Sequence, residues 1–224
     1  MATPGTTRET GSVPEGRIGR LKLSRLIGGG NQVAGYGHAR AGEHNLSYVS
    51  DLMVHYFTDD RILNLFEQAE ANGITAIILN NLERDFRAID LLNRHWKERG
   101  GKIQWIAQCN PDLDDLTTNC RKAIDSGASA VFLQGVIGDR WVAEGRLDEI
   151  AEFVAIARKN GLPAGVGGHD IATIQSVEDA GIAPDFYFKT LNNVGYACRP
   201  SAEETIRGMG GIELQVREED AEIA

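Results

Sequence analysis

A glycine that stops a helix, followed by a short apolar run that stops on a polar residue, recurs five times in this chain. The runs are Asn72-Gly73 to Asn80, Gly100-Gly101 to Gln108, Gly127 to Gln134, Gly161 to His169 and Gly181 to Lys189. Their spacing, roughly 20 to 35 residues, is what successive βα units require. Parallel strands all point one way, so their last residues collect on one edge of the sheet. That C-terminal edge is where barrels and open α/β sheets bind ligands. Asn80, Gln108, Gln134, His169 and Lys189 are therefore expected to converge on one site.

The apolar runs lack strict alternation, as expected for a sheet covered on both faces. They predict strands at Leu21 to Ile27, Thr75 to Leu79, Ile103 to Ala107, Ala130 to Leu133, Pro163 to Val166 and Asp185 to Phe188, with a seventh at Ile212 to Val216. Helices are expected over Asp59 to Asn72, Glu83 to Arg99, Pro111 to Gly127, Leu147 to Lys159, Ile171 to Ala180 and Ala202 to Arg207. The polar strand ends follow one another without an obvious switch point, so a (β/α)8 TIM-barrel-like architecture is the first choice. Only Thr190 to Ala224 follows the sixth run, which predicts an incomplete barrel of six to seven units; the alternative is an open doubly wound parallel sheet. Met1 to Arg20 reads as a flexible leader, Leu21 to Val216 as one domain, and Arg217 to Ala224 as an acidic tail.

A net charge of −9 argues against nucleic acid or an anionic membrane as partner, since either needs a basic patch. Three cysteines without a C-x-x-C spacing suit free thiols and a cytoplasmic setting. A small-molecule substrate and a homo-oligomer are the expected partners.

Lys189 ends the run Asp185-Phe186-Tyr187-Phe188, whose aromatic groups would desolvate its amine and make it a Schiff-base nucleophile. The plainer reading is an anion-binding lysine, or one paired with Asp185. His169 ends Gly165-Val166-Gly167-Gly168 and suits general acid–base work, a metal ligand or a satisfied strand end. The long connection from Ala34 to Thr58 carries His38, a further acid–base candidate, and Arg40, a substrate-binding candidate. Asn31, Asn80, Gln108 and Gln134 both donate and accept, which suits the hydroxyls of a sugar or polyol; singly, each could cap a strand end. Asn192 joins this set. A divalent metal held by His38, His169 and one Asp is a further option, although carboxylates are scarce at the strand ends. Gly28-Gly29-Gly30 fits neither a dinucleotide fingerprint nor a P-loop and reads as a flexible loop.

The stretches LSRLIGGGN (Leu23 to Asn31), Gly37 to Arg40, Tyr48 to Leu52, Ile103 to Gln108, Leu133 to Gly135, Gly165 to His169 and DFYFKTL (Asp185 to Leu191) carry a resemblance. Together they resemble a family of largely uncharacterised bacterial TIM-barrel proteins, distantly similar at the start to aldo/keto reductases. The resemblance implies a barrel with two further strands and histidine where Asn192 and Asn193 stand. The reductases' catalytic Tyr, Lys, Asp and His set finds no match, since Tyr48 and Asp51 are wrongly spaced.

The resulting expectation is an enzyme acting on a small hydroxylated or carbonyl, sugar-derived metabolite by proton transfer or lyase/aldolase-type chemistry. Lys189 would hold the carbonyl and His169 would move protons. The runners-up are an oxidoreductase of aldo/keto reductase type using NAD(P), and a degenerate barrel that binds without catalysis.

Overall fold

A computed structural model describes residues 13–36, 48–82 and 85–190. Its core is a five-stranded, all-parallel sheet of β3 (Ala76–Asn80), β4 (Gln104–Cys109), β5 (Ala130–Leu133), β6 (Ala164–Gly168) and β7 (Phe186–Lys189), in that order across the sheet. The helices α3 (Asp59–Ala71), α4 (Phe86–Arg99), α5 (Leu116–Asp125), α6 (Gly135–Ala143), α7 (Leu147–Lys159) and α8 (Ile171–Asp179) come before and between these strands. Strand order equals sequence order, so there is no reversal of winding of the kind a doubly wound sheet shows. The chain is an incomplete TIM-barrel-like fold.

Side-chain alternation assigns the two faces. Ile77, Leu79, Trp105, Ala107, Val131, Leu133, Ala164 and Val166 pack with Phe66, Leu92, Phe153 and Val177 of the helices. Ala76, Ile106, Ala130 and Phe132 form a second cluster on the other face, covered by Leu21 and Leu23. These come from an antiparallel hairpin, β1 (Glu15–Ile18) and β2 (Leu21–Ser24). Helices on one face only is the arrangement of a barrel wall. The hairpin also corrects the sequence reading twice. Glu15–Ile18, expected within the leader, is a strand because its Ile18 packs on the inner cluster. The Leu21 to Ile27 run, expected to open the parallel sheet, instead pairs backwards and reaches the sheet only at Gly28, which bridges Ile77 in parallel.

Gly28 N–H donates to Ala76 O at 2.9 Å, and Ile78 N–H donates to Gly28 O at 2.8 Å. A Cβ on Gly30 would fall well inside contact with Ile78 O and the Leu79 side chain. The triple glycine is thus a close approach of two backbones, and this segment is packed where a flexible loop was expected. The five helix-stopping glycines behave as the repeat predicts: Gly73, Gly100, Gly127, Gly161 and Gly181 all have positive φ, from 69° to 93°.

Three helices lie outside the sequence expectation. α1 (Asn31–Ala34) and α2 (Tyr48–Tyr56) fall in the long connection after Gly30, and α6 follows β5 directly. α6 begins Gly-Val-Ile-Gly, a poor helix-forming start, and tertiary contacts override it. Gln134 Oε1 accepts from Ile137 N–H at 3.0 Å as its cap. The missing side chain of Gly138 lets the helix lie on Gly167 O.

Candidate functional site

The ends of the parallel strands bring Asn80, Gln108, Gln134, His169 and Lys189 to one edge, through the register Asn80↔Gln108 and Gly168↔Lys189. Asn80 and Gln108 share the inner face, continuing Ile78 and Ile106, and the Gln108 amide donates to Asn80 Oδ1. Gln134 serves as the α6 cap, so one of its two amide functions is engaged at home. Asn31 opens α1 just beyond the Gly28 bridge, and its carbonyl accepts from Tyr36 N–H at 2.8 Å.

A polar cluster at this edge centres on Asp139 of α6, which is 4% exposed. Its Oδ2 is 2.7 Å from His169 Nδ1, and its Oδ1 accepts from Thr173 Oγ1 at 2.6 Å and from His169 N–H at 3.0 Å. A carboxylate at that distance makes Nδ1 the protonated ring nitrogen and leaves Nε2 as the ring's acceptor nitrogen. The His169 ring lies over Gly135, the first residue of α6, and its side chain is 17% exposed. Gly168 has no side chain to separate Asp139 and Thr173 from the β6 backbone. Asp170 then caps α8 by accepting from Ala172 N–H at 3.0 Å. The geometry is an imidazole fixed by Asp139 at the seam of two helix N-termini.

A second pair stands beyond the first strand positions. Tyr36 Oη donates to Asp85 Oδ2 at 2.9 Å, and Asp85 is 2% exposed. The sequence reading reached Asp139 only as an optional metal ligand beyond the fourth strand, and passed over Thr173 and this pair as site members. Only the i, i+3 glycines Gly135 and Gly138, leading to Asp139, hinted at a close helix–strand approach.

Lys189 follows a different course from the expectation. Phe186 packs on the inner cluster and Phe188 on the Phe132 ring at 5.0 Å, whereas Tyr187 joins the helix-side core. Alternation therefore turns Lys189 to the helix side with Tyr187, away from Asn80 and Gln108. Its Nζ donates to Thr190 O at 2.5 Å. Asp185 is taken by Arg158 at 3.2 Å and by Ala164 N–H at 2.9 Å. Burial works against its charge, but these two donors prevail and hold its carboxyl below the usual range.

Cys109 is fully buried on the helix side beside Cys120 of α5. The Cys120 contact and then burial push its thiol well up, which fits an inert core residue. His38, Arg40 and Asn192 lie outside the described residues, as do the helix at Ala202 and the strand at Ile212. Among the described residues no group of three His, Cys, Asp or Glu side chains is placed to hold a metal, and no helix is long and apolar enough to cross a membrane.

No protein-family model and no curated protein matches the chain. The bacterial barrel-family resemblance therefore stands on the quoted sequence stretches alone. Solved structures match at low identity. The carboxyl transferase domain of Rhizobium etli pyruvate carboxylase is 17% identical, with a TM-score of 0.45, covering 69% of this chain and 28% of that one. A protein provisionally assigned as deoxyribose-phosphate aldolase, from Coccidioides immitis, is 15% identical, with a TM-score of 0.45, covering 68% and 61%. An aldolase/citrate lyase family protein from Burkholderia cenocepacia is 15% identical, with a TM-score of 0.37, covering 57% and 63%. The chain thus spans less than two thirds of each. With TM-scores below 0.5, the fold assignment rests on the sheet's own strand order.

Proposed function

We propose that this protein is an enzyme that moves a proton on a small hydroxylated carbonyl compound, with His169 as the acid–base group and Asp139 as its positioning partner. The observation that carries this is the 2.7 Å contact of Asp139 with His169 Nδ1, at the C-terminal edge of a parallel sheet. An imidazole whose Nδ1 is held by a carboxylate is oriented to take a proton from substrate and give it back through Nε2. Asn80 and Gln108 on the inner face would bind substrate hydroxyls, with Gln134 and Asn31 at the rim. Proton transfer next to a carbonyl is the step shared by isomerases and lyases of the aldolase type. Lys189 stands outside the reacting set in this reading, because alternation turns it toward the helices.

The test is exchange in heavy water. The chain is incubated in D2O with a panel of aldoses, ketoses and short hydroxyketones, and loss of the C–H signal next to the carbonyl is followed by proton NMR. His169→Gln is expected to lose the exchange while keeping the wild-type circular dichroism. Exchange no faster than in His169→Gln across the panel refutes the proposal. Borohydride trapping followed by peptide mass spectrometry checks Lys189, and a reduced adduct there would replace this reading with imine chemistry.

A further inference from the structure

Three phenylalanines form one apolar wall on the inner face of the sheet. The register sets Asn80, Gln108, Phe132, Gly165 and Phe186 in one row across β3 to β7. The next inward-facing row toward the C-terminal edge sets Gly167 beside Phe188. Gly165 has no side chain, and the Phe186 ring takes the space where its Cβ would stand. Phe186 thereby meets the Phe132 ring edge-on at 6.2 Å, and Phe188 leans on the same ring at 5.0 Å. Phe132 is fully buried and Phe186 half-buried, whereas Phe188 is 43% exposed. Lone exposed apolar residues are ordinary on a protein surface. This one extends a buried aromatic cluster into the edge that holds His169, and apolar walls with a few convergent polar groups are how small-molecule sites are built.

The wall is divided from side to side. On β3 and β4 it carries the two amides, Asn80 and Gln108; on β5 and β7 it carries phenyl rings, with Gln108 directly beside Phe132. A chain hydroxylated along its whole length would set hydroxyls against the rings without partners, which costs affinity. A molecule with one polar end and one aryl end fits both sides. His169 stands two residues past Gly167, the register partner of Phe188, so it lies about 7 Å further along the strand. A phenyl ring with a short carbonyl chain spans that length.

We propose that Phe188 is the specificity-determining residue of this site, and that the substrate is a hydroxylated carbonyl compound whose aryl end lies on the Phe188 ring while its hydroxyls reach Gln108 and Asn80. The inference rests on the site proposed at this edge, and narrows its substrate from sugars to aryl-bearing hydroxy ketones and aldehydes. A further ring packs on Phe188 offset or edge-on, as Phe132 does from below. The pair, with the apolar area it removes from water, favours phenyl over hydroxyl by about tenfold.

The test is a ligand-observed NMR titration of the full chain with benzyl hydroxymethyl ketone and with dihydroxyacetone, which differ in bearing phenyl or hydroxyl at one end. Wild type is expected to bind the aryl ketone about tenfold tighter, with the strongest saturation transfer on its ring protons. Phe188→Leu keeps apolar bulk against Phe132 but no flat ring, and is expected to bring the two affinities to within about threefold. Phe188→Tyr keeps the ring and is expected to keep the preference. Nuclear Overhauser contacts from the ligand's phenyl protons to the Phe188 ring check the same point in wild type, without any substitution. Equal affinities in wild type, binding of neither ketone, absence of those contacts, or an unchanged preference in folded Phe188→Leu overturns the proposal. His169→Gln is expected to bind both ketones as wild type does. An aryl preference without C–H exchange in D2O would refute the chemistry proposed for His169 and leave this inference standing; exchange without the preference would do the reverse.

Discussion

Replacing Asp139 by Asn changes one charge and almost no volume, at the point where α6, β6 and α8 meet. Asp139 accepts three strong hydrogen bonds, from His169 Nδ1, His169 N–H and Thr173 Oγ1, while 4% exposed. Bonds to a charged group are worth about 1.5–3 kcal/mol each and neutral ones about 0.5–1.5, so the exchange costs about 1 kcal/mol per bond. The retained oxygen can still serve Thr173 and His169 N–H. The new amide, however, meets Nδ1–H donor to donor, and the ring must move its proton to Nε2 to accept. The expected loss is about 2–3 kcal/mol. For a chain of this size each kcal/mol shifts melting by about 2–4 °C, so Asp139→Asn is expected to melt about 4–12 °C below wild type. Nitrogen-15 NMR of the His169 ring is expected to show the protonated nitrogen change from Nδ1 to Nε2. Thr173→Val is expected to cost about 1 kcal/mol, and the double variant less than the sum, because the two share one carboxylate. Melting within ~1 °C of wild type, with Nδ1 still protonated, would refute the argument that this carboxylate orients the imidazole.

Other perturbations read separate parts of the fold. Gly138→Ala drives a methyl group into Gly167 O, and is expected to destabilise by about 3 kcal/mol in urea titrations, with an unchanged m-value. Gly101→Ala would collide with the buried His95 ring and break its 2.9 Å contact with Glu70, and a lower urea midpoint is expected. The Asp185 carboxyl is held low in the folded state, so its stabilisation is present above the unfolded value near 3.9 and is lost as pH falls through the folded one. Asp185→Asn is accordingly expected to be less stable at pH 7 and to show a shallower acid limb below about pH 4. Cys109 and Cys120 are expected to resist dithionitrobenzoate until the chain is unfolded, as followed by peptide mapping.

The βα repeat was legible because two independent local signals coincide in each unit. Gly100 and Gly161 sit at positive φ where the helices stop, and Ile106 and Val166 fall in the strands they precede. The converging edge followed from that direction alone. α6 was not legible, because its stability comes from Gly138 lying on Gly167 O, a contact between distant segments. α2 was not legible for the opposite reason: none of its residues is buried, so its sequence carries no clear buried face. Asp139 shows the same limit at the site, since only the packing of α6 on β6 brings it to His169. The face Lys189 takes depends on alternation through Tyr187, which a run aromatic at every position, Phe186 to Phe188, does not reveal.

The order β3-β4-β5-β6-β7 means that, among the described residues, each strand of the parallel sheet bonds to the strands next to it in sequence, with Gly28 bridging the outer side of β3. Cooperativity in such a stack is passed along a line, and β4, β5 and β6 have a bonded strand on both sides. Amide protons of Val131 and Phe132, in the middle of the stack, are therefore expected to be among the last to exchange with solvent.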